Sequence, residues 1–331
     1  MKMLLTGGAG YVGSACLRWL IRNGHEPFAF DNLSLGNAWS VPSDRLIVGD
    51  ILDFDGLSRA LREYDIEGVI HFAALAVVPE SVADPASYWQ TNVVGTKTLL
   101  DAMRSVGVRK IVFSSTCAVY GENHESPLTE TMACNPCHPY GSTKMAVEQM
   151  IREFSAAYGI GHTSLRYFNV AGADSDGRFG ECRRHETHLI PLILAVANGK
   201  REKLVVFGTD FPTPDGTCVR DYIHTEDLSY AHQLAMEQLD TGQANVFNVG
   251  TGVGASVLEV LHAAEEVAGF EIPHELADRR PGDPPALFAN AEKIRAELNW
   301  QPKYTNIRDI VETAWNWHRN EEARLTEFGA I

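Results

Sequence analysis

An apolar run, Met3 to Thr6, passes directly into Gly7-Gly8-Ala9-Gly10-Tyr11-Val12-Gly13, after which apolar residues recur at helical spacing. A strand that enters a helix through glycines at three-residue intervals is one of the few local patterns that restricts a whole fold. The first glycine makes a tight turn, the second leaves room for an anionic group to approach the backbone, and the third lets helix pack on strand. The helix start then offers unpaired N–H groups and a partial positive charge, which suit a pyrophosphate. Gly7, Gly10 and Gly13 are therefore candidate dinucleotide contacts. The next strand ends at Asp31, 18 residues beyond Gly13. A carboxylate there can accept both ribose hydroxyls and repels a 2′-phosphate. Residues 32–37 contain no Lys or Arg to offset that repulsion, so the expected cofactor is NAD, not NADP. Asp50, at the end of the third strand, is placed to accept from the adenine amino group.

Short apolar runs alternate with amphipathic ones over the first half of the chain. Met3 to Thr6, Pro27 to Phe30, Leu46 to Val48, Val69 to Phe72, Lys110 to Ser114 and His162 to Arg166 read as strands. Val12 to Arg22, Leu57 to Tyr64, Pro85 to Ser105 and Ser142 to Tyr158 read as helices. This alternation predicts right-handed βαβ units and a parallel sheet covered on both faces. After Phe168 glycine and proline become frequent and the strands shorten. At about 150 residues per domain, 331 residues suggest two units. The expected class is α/β: a Rossmann-type doubly wound parallel sheet with a smaller C-terminal α/β substrate domain. The expected domains are 1–168, joined again by 225–250, and 169–331. Val246 to Val249 reads as one more buried strand.

With 28 basic and 43 acidic residues the formal charge is −15, which argues against a general nucleic-acid or anionic-membrane binder. No apolar run approaches the roughly 18 residues of a membrane span, and the N-terminus reads as a strand, not a leader. A soluble, cytoplasmic protein is expected. Six scattered cysteines are expected to be free thiols. Cys134-Asn-Pro-Cys137-His138 matches a haem-attachment spacing but reads as a Pro-containing loop. His185-Glu186-Thr187-His188 is one residue short of a zinc-binding helix motif. No metal site is expected.

Tyr140-Gly-Ser-Thr-Lys144 places a phenol and an ammonium one helical turn apart. A free tyrosine titrates near 10. A neighbouring cation, aided by an oxidised nicotinamide, favours its phenolate. Thr116 follows the strand Lys110 to Ser114 at the carboxyl end of the sheet, where open α/β sheets bind ligands. It can donate to, or relay a proton from, a sugar hydroxyl.

With these residues in view, the chain resembles the extended short-chain dehydrogenase/reductases and, within them, the UDP-glucose 4-epimerases. The segments that carry the resemblance extend from Thr6–Gly13 to Tyr304. They include His71-Phe-Ala-Ala74, Val78-Pro-Glu-Ser81, Asn92-Val-Val-Gly95, Ser114–Gly121, Tyr140–Lys144, Leu165–Gly172, His188-Leu-Ile-Pro191, Pro212–His224 and Arg279–Asp283. The run from Thr213 to His224 is the most specific of these. The resemblance implies catalytic roles for Tyr140, Lys144 and Thr116. It implies cofactor contacts from Tyr11, Val12, Asn32, Ile51, Phe72, Ala73, Ala74, Asn92, Ser114 and Tyr167, besides the glycines, Asp31, Asp50, Tyr140 and Lys144. It implies a UDP-sugar site of Phe168, Asn169, His188, Leu189, Val205, Phe207, Arg220, Tyr222, Arg280 and Asp283, with Thr116 and Tyr140 at the hexose. Two positions depart from the pattern: Ala76 replaces a lysine found in some members, and Leu287 stands where members carry tyrosine or a small residue.

The implied activity is the interconversion of UDP-glucose and UDP-galactose. NAD oxidises C4, the 4-keto sugar rotates, and the hydride returns to the other face. Alternatives are 4-epimerisation of UDP-GlcNAc, a UDP-pentose or UDP-glucuronate, a nucleotide-sugar dehydratase or decarboxylase, and a non-catalytic NAD sensor. The dehydratases and decarboxylases carry an acidic residue just after the active-site Ser or Thr. Here Cys117 and Ala118 follow Thr116. The family habit also implies a homodimer built on helices Pro85 to Ser105 and Ser142 to Tyr158.

Overall fold

The strands, numbered along the chain, are β1 Lys2–Thr6, β2 Glu26–Asp31, β3 Leu46–Val48, β4 Gly68–His71, β5 Lys110–Thr116, β6 Gly161–Tyr167, β7 Asn169–Ala171, β8 Leu204–Phe207, β9 Val219–His224, β10 Ala244–Val249, β11 Gly254–Ser256, β12 His274–Ala277 and β13 Ala286–Leu287. The computed structural model describes residues 1–122, 124–280 and 283–330. Seven strands form a parallel sheet in the order β10-β6-β5-β4-β1-β2-β3. Chain order reverses direction between β1 and β4, so a crevice opens at their carboxyl ends, where such sheets bind ligands. β1, β4 and β5 are almost wholly buried, as a sheet covered by helices on both faces requires.

Each helix is held by its own sequence. Helix Tyr11–Arg22 turns Gly13, Ala15, Cys16, Leu17 and Leu20 inward and packs against helix Thr225–Glu237. Helix Pro139–Tyr158 has Pro139 in its first turn, His138 Nδ1 accepting from Gly141 N, and Gly159 ending it at φ +69°. That combination of start and stop signals is strong.

The segment expected to be one helix over 85–105 is instead Pro85–Tyr88, a wide π-type turn over Trp89–Val94, and a regular helix Gly95–Val106. The wide turn aims Asn92 at the loop after β4. Its Oδ1 accepts from Leu75 N at 2.8 Å and its Nδ2 donates to Leu75 O at 3.0 Å. Periodicity cannot register one inserted residue inside an otherwise helical pattern.

The chain after β6 builds a second lobe. β9 pairs with β7, β11 and β13, while β8 pairs with β12. Helices Leu189–Ala197, Val257–Ala268 and Ile307–His318 enclose a core of Ile193, Leu194, Val206, Val260, Leu261 and Val311, all fully buried. Helix Thr225–Glu237 and strand β10 then return to the first lobe, where β10 pairs with β6 along its whole length. No helix among the described residues is long and apolar enough to cross a membrane.

One buried ion pair ties the central strands to helix Pro139–Tyr158. Glu148 accepts from Arg166 Nε at 2.9 Å, Arg166 Nη2 at 2.6 Å and Ser115 Oγ at 2.5 Å. Arg166 Nη1 continues to Tyr120 OH at 3.1 Å, and that hydroxyl donates to Asn248 Oδ1 at 2.7 Å. Both charged side chains are at most 6% exposed. Removing one charge strands the other in the core, so Glu148→Gln is expected to destabilise the fold by about 3–5 kcal/mol. Denaturant unfolding of the variant beside wild type measures this directly.

Candidate active site

The glycine turn shows why its residues are glycines. Gly7 sits at φ +69°, and a Cβ there would lie 2.6 Å from Ala73 N; the turn therefore touches the chain leaving β4. A Cβ on Gly13 would lie 2.3 Å from Gly7 O, so helix and turn could not close. Gly10 is different: its nearest neighbour would be Gly7 O at 3.3 Å, and it begins the helix with no side-chain cap. The helix start thus keeps donors for an external anion, with Tyr11 and Val12 on the cavity wall.

Asp31 ends β2. Its Oδ2 accepts from Ala9 N at 3.0 Å and its Oδ1 from Leu33 N at 2.8 Å. Two backbone donors fix the carboxylate while leaving about half of its roughly four lone-pair positions free for ribose hydroxyls. Asn32 Nδ2 donates to Asp50 at 2.9 Å, and Asp50 also takes Leu52 N at 2.8 Å. Ile51 is buried, with its methyl 2.7 Å from where a Cβ on Gly95 would lie. Phe72, Ala73 and Ala74 leave β4 beside the turn. These residues fit a dinucleotide: fixed acceptor, uncapped helix and a cradle without Cβ atoms.

The reacting groups come from two elements. Lys144 Nζ donates to Ser114 O at 2.8 Å and lies 6.0 Å from the centre of the Tyr140 ring. Thr116 ends β5 opposite Tyr167 of β6. Tyr140, Thr116 and Tyr167 line one cavity of about 350 Å³. Burial pushes the Tyr140 phenol above its ordinary range; Tyr167 adds to this and the Thr116 hydroxyl opposes it. Burial pulls the Lys144 ammonium down to about 7, against the upward pull of Glu148. Burial thus opposes the charged form of both side chains. Asn92 adds a bond to Thr143 Oγ1 at 3.0 Å, holding the Tyr140 helix in place. Ser114 Oγ lies 3.2 Å from His232 Nε2.

Phe168, Asn169, His188, Leu189, Arg220, Tyr222, Ala76 and Leu287 line the same cavity. Val205, Phe207, Arg280 and Asp283 do not line that cavity. Arg280 sits over the Phe207 ring at 5.1 Å, and Asp283 bridges Arg280 at 3.1 Å and Arg220 at 3.5 Å. Pro281 and Gly282, within the Arg279–Asp283 segment, fall outside the described residues.

Sequence reasoning missed Glu181 and Arg183, which line the wall beside His188. Glu181 accepts from His188 Nδ1 at 2.8 Å and from Arg183 Nε at 2.7 Å. The nearest signal in the sequence is the His-Glu-Thr-His run at 185–188. Glu181, Glu186 and His188 do bring their ligand atoms within 4.8 Å of one another, but Arg183 and a protonated His188 already balance the carboxylates. Burial works against the His188 imidazolium, yet hydrogen bonds to Glu181 and Glu186 prevail and lift it to about 9.

A doubly wound sheet whose glycine turn, buried acidic strand end and Tyr-x-x-x-Lys helix share one crevice defines a dinucleotide-dependent enzyme acting on a polar substrate. The sequence matches the NAD dependent epimerase/dehydratase family over residues 3–250, and the chain belongs to that family. It is 52% identical over 316 residues to a UDP-glucose 4-epimerase of Corynebacterium glutamicum, covering 95% of each chain. It is 47% identical over 322 residues to that of Lacticaseibacillus casei, covering 97% of each. The UDP-glucose 4-epimerase of Brucella ovis, solved in complex with NAD, superposes with a TM-score of 0.93 at 43% identity, over 96% of this chain and 98% of that one.

A histidine raised from its ordinary 6.5 to about 9 contributes stability that is complete below pH 6.5 and lost as pH rises through 9. Wild type should therefore unfold at higher temperature than His188→Gln at pH 6, and the gap should close by about pH 10. Thermal unfolding of both proteins across that range checks the sign; a gap independent of pH would contradict it.

Proposed function

We propose that this protein interconverts UDP-glucose and UDP-galactose, inverting C4 of the hexose. The observation that carries this is the convergence of Tyr140 and Thr116 on the cavity that Arg220 and Tyr222 also line, with Lys144 one helical turn behind at Ser114 O and without a carboxylate directly after Thr116. When bound, NAD supplies a reversible acceptor for the C4 hydride and a cationic ring beside Tyr140. Gly7, Gly10, Tyr11, Val12 and Gly13 hold its phosphates, Asp31 and Asn32 its adenine ribose, Asp50 and Ile51 the adenine. Phe72, Ala73, Ala74, Asn92, Ser114 and Tyr167 border the nicotinamide half, and Lys144 holds its ribose.

Tyr140 removes the proton of the 4-hydroxyl and later returns it, with Thr116 hydrogen-bonded to the same oxygen. Arg220 and Arg280 carry the diphosphate, a charge-assisted role suited to guanidinium groups, and Phe207 stacks on uracil. Phe168, Asn169, His188, Leu189, Val205, Tyr222 and Asp283 complete the nucleotide site. The nucleotide is gripped by charge and stacking, whereas the hexose meets small or apolar side chains such as Ala76, Ala118 and Leu287. A hexose so loosely held can turn over while its nucleotide stays anchored. The names of the full-length relatives support this activity.

We also infer a cytoplasmic homodimer. Val78, Val82, Trp89, Val94 and Met145 are each at least 36% exposed on adjacent helices, and joining two such faces removes an apolar stripe from water. All six cysteines are free, as a reducing compartment requires. Trp89→Glu is expected to shift the protein from dimer to monomer in analytical ultracentrifugation.

The catalytic proposal is tested by incubating pure protein, without added cofactor, with UDP-galactose, UDP-GlcNAc, UDP-xylose and UDP-glucuronate. UDP-galactose should yield UDP-glucose with no net NADH. Tyr140→Phe should reduce turnover about 10²–10⁴-fold and keep bound NAD. NADH released in proportion to turnover would exclude the cycle.

A further inference from the structure

Trp39, Phe179, Trp317 and Phe328 form a nearly parallel aromatic stack far from the reacting groups in sequence and unused by the chemistry. Trp39 lies 5.4 Å from Phe328, 5.9 Å from Trp317 and 6.5 Å from Phe179, with interplanar angles of 7°, 17° and 11°. Phe179 and Phe328 are 5.0 Å apart at 15°. The Arg18 guanidinium covers the Phe179 ring at 3.9 Å. Such centroid separations fall in the range of favourable aromatic contacts.

The stack joins three stretches of chain. Trp39 belongs to the segment that follows Asp31 and lies against the glycine turn. Asn37 N donates to Ala9 O at 2.9 Å, and Ser40 Oγ donates to the same oxygen at 3.1 Å. Arg18 Nη1 donates to Ser40 O at 2.7 Å. Phe179 belongs to the second-lobe segment that leads to Glu181 and His188. Asn37 Nδ2 reaches that segment at Cys182 O, 3.0 Å, and Trp317 Nε1 reaches it at Glu181 O, also 3.0 Å. Phe328 follows helix Glu321–Glu327 and completes the stack against Trp39 and Phe179.

We propose that these aromatic residues are a clasp that positions the cofactor turn against the substrate lobe, so that retention of NAD depends on Phe328 at the end of the chain. Release of the dinucleotide requires the segment around Asp31 and Ala9 to separate from the second lobe. The stack is an apolar contact that resists this separation. Trp39 and Phe328 are positioning residues: neither lines the cavity, and both act through the backbone that Asp31 and Ala9 share. This inference rests on the NAD-dependent reading above and extends it to residues outside the site.

The test follows loss of NAD from purified holoenzyme after rapid dilution, with released NAD assayed over time. Trp39→Ala and Phe328→Ala should each release it on the order of tenfold faster than wild type. The double variant should be little faster than either single one, because both break the same stack. Trp39→Phe should keep the wild-type rate. Trp19→Ala is the control: it removes an indole that packs on Tyr230 and bonds to Gln233, and it should lower the melting temperature without speeding release. Unchanged release in Phe328→Ala and Trp39→Ala, or equal acceleration in Trp19→Ala, would overturn the clasp. Should Trp39→Ala fail to fold, Phe328→Ala decides alone. A wild-type protein that carries no NAD at all would instead count against the cofactor reading.

Discussion

One face of helix Pro139–Tyr158 touches the sheet at three successive heights, and the site depends on that contact. Residues 140, 144 and 148 lie one turn apart. Tyr140 reaches the cavity, Lys144 binds the carbonyl of Ser114, and Glu148 pairs with Arg166 while accepting from Ser115. The two lower contacts place charge in the core, which is tolerable only because each charge has a partner. They also fix the rotation and height of the helix, and so the position of the phenol. The π-type turn adds a fourth point through Asn92 and Thr143.

The same contact also sets the titration of the two side chains nearest the cavity. Burial raises the Tyr140 phenol and lowers the Lys144 ammonium, because a dry site disfavours both charged forms. A cation placed beside the ring would favour its phenolate. A similar logic places positive charge at the opposite wall. There Arg183 and His188 share the carboxylate of Glu181, leaving a neutralised but polar stretch of cavity wall.

Much of the first lobe was legible in the chain. Six strands, the glycine turn and Asp31 are local features, governed by apolar periodicity and by backbone space that only glycine leaves open. Strand ends moved by a residue or two; the extension of β5 to Thr116 brings that hydroxyl to the edge of the sheet. The π-type turn at 89–94 escaped because the apolar period continues through it. Glu181 and Arg183 escaped for another reason: a carboxylate and a guanidinium in a loop look the same in sequence whether they pair in solvent or line a cavity.

The amino-acid order by itself determined a parallel sheet that presents a dinucleotide cradle, and a helix carrying tyrosine and lysine on one face. Both follow from interactions within a few residues. The return of β10 to the first lobe was legible as a buried strand at 246–249, but only the tertiary structure decided that its neighbour is β6, that Phe207 and Arg280 pair away from the cavity lining, and that Trp39 meets Phe328 across the molecule. Those arrangements depend on contacts between segments far apart along the chain. Their energies arise when whole faces are buried together, and no spacing along the chain encodes them.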